Sequence, residues 1–181
     1  VELKDWQAIL LAFAGSVFTA WFFLPRVIKV VSRRHLTDIP GAHKIHKKEI
    51  PTLGGVAIFG GFSFGFLLSV NGFMQGVSYF TAAVICLFFI GLKDDLIDVA
   101  PYKKIIVQVT AALIICTFTN LRFTDFHGFL GIHGIPVWVS YILTVFLVVI
   151  IINAYNLIDG IDGLASSIGI IASTVFGIWS W

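Results

Sequence analysis

Six apolar stretches, separated by polar segments, run along the chain at about 6–24, 53–70, 77–92, 105–121, 137–152 and 164–181. A helix needs about 17–25 predominantly apolar residues to cross about 30 Å of hydrocarbon. Several stretches lie at or just below that lower limit, so their ends must borrow flanking residues. The pattern predicts an all-α integral membrane fold of about six transmembrane helices, forming one membrane domain over 1–181. The stretch near Ile105 contains Gln108 and Thr110, so it is expected to face other helices more than lipid. The first stretch is not a secretory signal: Glu2, Lys4 and Asp5 precede it, and Pro25 and Arg26 follow it in place of a small-residue cleavage site. No internal repeat, heptad pattern or low-complexity tract is visible.

Composition sharpens this reading. The chain is 58% hydrophobic and 12% charged, whereas soluble domains are about 45–50% apolar and about 25% charged. If the stretches cross in alternation, the segments 25–52, 93–104 and 153–163 share one side. The N-terminus and the segments 71–76 and 122–136 share the other. The first side holds Arg26, Lys29, Arg33, Arg34, Lys44, Lys47, Lys48, Lys93, Lys103 and Lys104; the second holds Lys4 and Arg122. Positive loops stay cytoplasmic, so the first side is expected to be cytoplasmic and the N-terminus external. The segment 122–136, with Gly128, Gly131, Gly134 and Pro136, reads as a turn-rich external connection. Cys86 and Cys116 lack metal-type spacing and are expected as buried thiols. The chain starts at Val1 and stops inside an apolar run at Trp181, so both ends are expected to be cut.

The acidic residues concentrate where the basic ones do. Lys93-Asp94-Asp95-Leu-Ile-Asp98 follows one apolar stretch, and Asn153-Ala-Tyr-Asn156-Leu-Ile-Asp159-Gly-Ile-Asp162-Gly-Leu164 follows another. Carboxylates beside hydrocarbon are costly and rarely idle. A continued helix would bring Asp94, Asp95 and Asp98 towards one point. Asn153, Asn156, Asp159 and Asp162 recur every third residue, a drifting polar stripe on a helix. Oxygen donors of this kind suit Mg²⁺, or Mn²⁺, and not zinc. The first long polar segment adds Lys44, Lys47, Lys48 and Thr52 as donors for phosphate. Each cluster has a plainer reading: a solvated helix end paired with Lys93, Lys103 and Lys104, a polar turn, and a basic anchor for anionic lipid headgroups. His43 and His46 lack a partner at zinc spacing, and His35, His127 and His133 read as loop histidines. Cations, carboxylates and access from lipid on one face together fit phosphoryl transfer between a soluble nucleotide substrate and a lipid phosphate.

Pro51-Thr-Leu-Gly-Gly55 with its upstream basic residues, Asp94-Asp95, and Asn153 through Leu164 occur in the order found in the polyprenyl-phosphate N-acetylhexosamine-1-phosphate transferases, which the chain resembles over nearly its whole length. The resemblance implies transfer of a sugar-1-phosphate, N-acetylglucosamine-1-phosphate by the Asp-Asp-Leu-Ile-Asp98 spacing, from a UDP-N-acetylhexosamine to a polyprenyl phosphate such as undecaprenyl phosphate. UMP is released, Mg²⁺ is required, and the active face lies on the cytoplasmic side of a bacterial inner membrane. It implies catalytic roles for Asp94, Asp95 and Asp159. Substrate-binding roles fall to Lys44, His46, Lys47, Thr52, Lys104, Asn153 and Asp162, and metal binding to Asn156 with Asp94 and Asp95. Where the family often has Arg-Lys before the motif His, this chain has His43-Lys44, so a titrating ring replaces a permanent fork of donors. The resemblance also implies a family fold of about ten spans whose later loops carry a further metal-binding aspartate and a His-rich motif. These 181 residues alone are therefore expected to be inactive. No nucleic-acid partner is expected; self-association stays open.

Two other readings compete. An intramembrane prenyltransferase also uses aspartate-rich Mg²⁺ motifs, but it releases pyrophosphate and not UMP. An ion-coupled transporter should carry its carboxylates near mid-span in broken helices, whereas here they follow intact apolar runs on one side.

Overall fold

The structure, a computed structural model, describes residues 5–34, 37–38, 50–51, 53–70, 76–131 and 133–180. Its helices are α1 (Asp5–Arg33), α2 (Gly54–Ser69), α3 (Val77–Leu96), α4 (Pro101–Phe118), α5 (Val137–Ile158) and α6 (Leu164–Ser180). They fall on the six apolar stretches. By length and composition α1, α3, α4 and α5 can each cross a membrane, while α2 and α6, with 16 and 17 residues, are apolar but shorter. A minimal antiparallel pairing of β1 (Thr37–Asp38) with β2 (Ile50–Pro51), absent from the all-α expectation, brings the two ends of the first polar segment together.

Two boundaries differ from the sequence reading. The first segment was expected to leave the helix at residue 25, yet α1 continues through Pro25 to Arg33. An internal proline removes one backbone hydrogen bond. Around it, the Arg26 guanidinium lies over the Phe22 ring, 3.4 Å from its centroid, and donates to the Phe22 carbonyl. Farther on, Val31 is buried, and Arg33 complements the negative end of the helix dipole. At 1.5 Å per residue the helix is about 43 Å long, so its basic end extends beyond a hydrocarbon layer of about 30 Å. The second difference concerns 93–104. Here α3 runs to Leu96 and α4 begins at Pro101, a favoured first-turn residue, so only four residues connect them.

Helices α1 and α2 pack antiparallel and close because glycine faces backbone. A Cβ on Gly61 would lie 2.7 Å from the Ser16 carbonyl oxygen, and one on Gly65 2.7 Å from that of Ala12. Such small-residue contacts are how helices pair where lipid supplies no hydrophobic drive. A stacked Phe59–Phe88 pair, 3.9 Å between centroids, joins α2 to α3, and Tyr79 stacks on Phe118 between α3 and α4. The fourth helix is the central one: Gln108, Ala111, Ala112 and Cys116 are buried, and it packs against both α3 and α5. The expectation that this stretch faces helices is met. Cys116 is buried as expected, but Cys86, also expected to be buried, is exposed on α3. Many large apolar side chains, Phe13, Trp21, Phe146 and Phe176 among them, are exposed, as a lipid-facing surface requires.

At the opposite end from the acidic clusters, residues 119–131 and 133–136 fold back on α5. The Ser140 hydroxyl donates to the Phe123 carbonyl at 2.6 Å, and the Phe123 N–H donates to Thr144 Oγ1 at 2.9 Å. The expected turn chemistry is present, with Gly128 and Gly131 at φ +81° and +73°.

Candidate active site

The acidic ends of α3 and α5 come together beside the start of α4. Because α3 stays helical to Leu96, Asp94 and Asp95 sit on its last turn and diverge by about 100° around the axis. Asp94 is fixed twice: Lys104 Nζ donates to its Oδ2 at 2.6 Å, and the Val99 N–H donates to its Oδ1 at 3.1 Å. Lys104 lies on the first turn of α4, where a cation opposes the helix dipole; the Asp94 carboxylate offsets that cost. Asp95 feels the charges of Asp94, Asp159 and Lys104. The cleft that Asp94 lines is also lined by Asn153 and Asn156, so the ends of α3 and α5 lie side by side.

One helical turn beyond Lys104, buried Gln108 accepts a hydrogen bond from Asn153 Nδ2 at 2.7 Å. The central helix thus ties α3 through Lys104–Asp94 and α5 through Gln108–Asn153. Between these links lies a cleft of about 210 Å³, lined by Asp94, Lys104, Gln108, Asn153 and Asn156 over apolar Leu87, Ile90 and Ile152. Asp95 lines an adjoining cleft with Gly55 and Val56 from the start of α2 and Leu87, Phe88, Gly91 and Leu92 from α3. The two carboxylates of the pair therefore line two adjoining clefts that share Leu87 and Gly91.

The polar stripe is helical only in part. Asn153 and Asn156 lie on the last turns of α5, and Asp159 caps it. Gly163 at φ +76° then turns the chain into α6, so Asp162 sits in the turn and not on the stripe. Asp98 likewise leaves helical register, because Ile97 is extended at φ −150°, and its expected approach to Asp94 and Asp95 along one helix does not occur. Lys44, His46, Lys47 and Thr52 lie outside the described residues, as do His35 and His43. The sequence reading noted Gln108 only as a polar residue in an apolar run. Its i+4 spacing from Lys104 was the signal that places both on one face.

Among the described residues no three His, Cys, Asp or Glu side chains form a metal cluster on their own. The donor set nevertheless suits Mg²⁺. The cleft lining offers the Asp94 carboxylate and the amide oxygens of Asn153 and Asn156. Mg²⁺ commonly takes one or two carboxylates and leaves its other positions to water and substrate phosphate.

Comparison with known proteins places the sequence in a family. A family model described as Glycosyl transferase family 4 matches residues 77–181. A Bacillus subtilis (strain 168) protein named "Probable undecaprenyl-phosphate N-acetylglucosaminyl 1-phosphate transferase" is 32% identical over 171 residues, 94% of this chain and 48% of that protein. An Escherichia coli O157:H7 protein named undecaprenyl-phosphate alpha-N-acetylglucosaminyl 1-phosphate transferase is 30% identical over 164 residues, 90% of this chain and 44% of that protein. The chain thus spans a little under half the length of these relatives. No solved structure matches it. With the family match covering more than half of the chain, including both acidic clusters, the chain belongs to glycosyl transferase family 4.

Proposed function

We propose that the full-length protein transfers N-acetylglucosamine-1-phosphate from UDP-N-acetylglucosamine to undecaprenyl phosphate at the cytoplasmic membrane face, releasing UMP. The observation that carries this reading is the meeting of Asp94, Asp95 and Asp159 with Lys104 beside a cleft lined by Asn153 and Asn156. The names of the relatives support the choice of substrates.

The chemistry follows from the two clefts. The lipid phosphate is placed at Asp95, which lines the cleft at the start of α2, orients the phosphate and accepts a proton from it when it arrives protonated. An oxygen of that phosphate attacks the sugar-bearing phosphorus, and the phosphoric anhydride bond to UMP breaks. Asp94, held by Lys104 and the Val99 N–H, keeps its carboxylate fixed at the polar cleft, and the Lys104 ammonium is near enough to share charge with an incoming diphosphate. Asn153 and Asn156 contribute amide groups to the nucleotide side. Mg²⁺ would be held by Asp94 or Asp95 with Asn156, and would neutralise charge on the transferring phosphoryl group. In isolation the 181 residues are expected to release no UMP, because phosphoryl transfer depends on a closed site and the chain spans a little under half the length of its relatives.

The cytoplasmic assignment of the acidic end rests on the charge asymmetry. Ser32→Cys near the end of α1 and Thr124→Cys in the opposite connection should label from opposite sides of the membrane. Labelling of both from one side would contradict the topology. Product identity tests the reaction: UMP release supports transferase chemistry, and pyrophosphate release would point to prenyl transfer.

A further inference from the structure

We infer that Gln108 is a positioning residue for this reaction: it fixes the Asn153 carboxamide so that the oxygen, and not the nitrogen, is presented to substrate. The inference rests on the proposed function. The geometry has three parts. Asn153 Nδ2 donates to the Val149 carbonyl at 2.7 Å, one turn back on α5. A carbonyl can only accept, so this bond sets which end of the amide faces the helix. The second Nδ2 hydrogen goes to Gln108 Oε1 at 2.7 Å, which anchors the side chain across to α4. With both N–H groups used, Oδ1 remains as the acceptor of a residue that lines the cleft. An acceptor held this way suits a hydroxyl or imide N–H of the UDP-sugar.

Burial argues that this is more than packing. Gln108 is 6% exposed on α4, whose other buried residues are Ala111, Ala112 and Cys116, and a side chain such as Met would fill the same space without a polar group to satisfy. Interhelical hydrogen bonds in membranes add little stability. A merely structural role would therefore give a weak reason for an amide here, whereas fixing the direction of Asn153 gives a specific one. Lys104, on the same face of α4, acts on Asp94 in the same manner, so one helix face orients one polar group on each neighbouring helix.

The test is a double-mutant cycle in the full-length protein, reading UMP release with Mg²⁺, UDP-N-acetylglucosamine and undecaprenyl phosphate. Gln108→Met should raise KM for the UDP-sugar by about 10-fold, the scale of one hydrogen bond to substrate, with little change in kcat. Its thermal stability in detergent should equal or exceed that of the parent. Added to Asn153→Ala, the same change should cost nothing further, since it acts through Asn153. Wild-type KM in Gln108→Met, or losses that add in the double variant, would overturn the inference and leave the proposed function standing. Lowered stability with KM intact would also overturn it, by assigning Gln108 to packing. Failure of the parent protein to release UMP would sink the functional reading and this inference with it.

Discussion

Asp94→Asn and Asp159→Asn in the full-length protein are each expected to lower turnover by about 10²-fold or more, the usual scale for removing a general base or its electrostatic equivalent. Asparagine keeps the size of the side chain and can still accept the Val99 N–H, so Asp94→Asn should insert and fold normally. What it removes is the charge that holds Lys104 at 2.6 Å. Asp159 acts from the end of a different helix, yet its charge reaches Asp95. Loss of activity on both sides therefore reports a shared site. Asp98→Asn is the internal control: that residue is exposed and out of helical register, and its variant should stay near parental turnover. UMP release by Asp94→Asn and Asp159→Asn at close to the parental rate would reduce both clusters to solvated helix ends.

The second large effect is on stability. Gly61→Leu should lower the melting temperature in detergent by about 5 °C or more, because overpacking against a rigid neighbour costs about 1–3 kcal/mol and that neighbour is backbone. The first added atom would meet the Ser16 carbonyl oxygen at 2.7 Å and the Ala20 Cβ at 3.0 Å, so α1 and α2 must separate. Gly60, the preceding residue, has nothing within 4 Å of an added Cβ. Gly60→Leu should melt close to the parent. Equal melting of the two variants would show that the glycine contact does not hold the pair.

The number and order of helices were legible in the apolar pattern because a membrane imposes length and composition on each span. Boundaries were less so. The continuation of α1 through Pro25 depends on buried Val31 and on Arg26 against Phe22, contacts that the sequence pattern does not display. The pairing of Asp94 with Asp95 was visible in the sequence, but their separation into two clefts required knowing that α3 continues to Leu96. The three-residue rhythm from Asn153 to Asp162 was legible as a pattern and wrong as a single stripe, since the helix ends at Ile158 and Gly163 redirects the chain. Gln108 was the least visible contributor. An amide in an apolar run signals a helix interface, but its partner, Asn153, lies 45 residues away in sequence.

The central claim is that the ends of α3 and α5, joined by α4, form one phosphoryl-transfer site. The most direct measurement supplies the purified full-length protein with Mg²⁺, UDP-N-acetylglucosamine and undecaprenyl phosphate, and follows nucleotide and lipid products together. The account predicts one UMP per lipid-linked sugar phosphate, falling by about 10²-fold or more in Asp94→Asn. Pyrophosphate release without UMP, or UMP release that Asp94→Asn leaves unchanged, would contradict it.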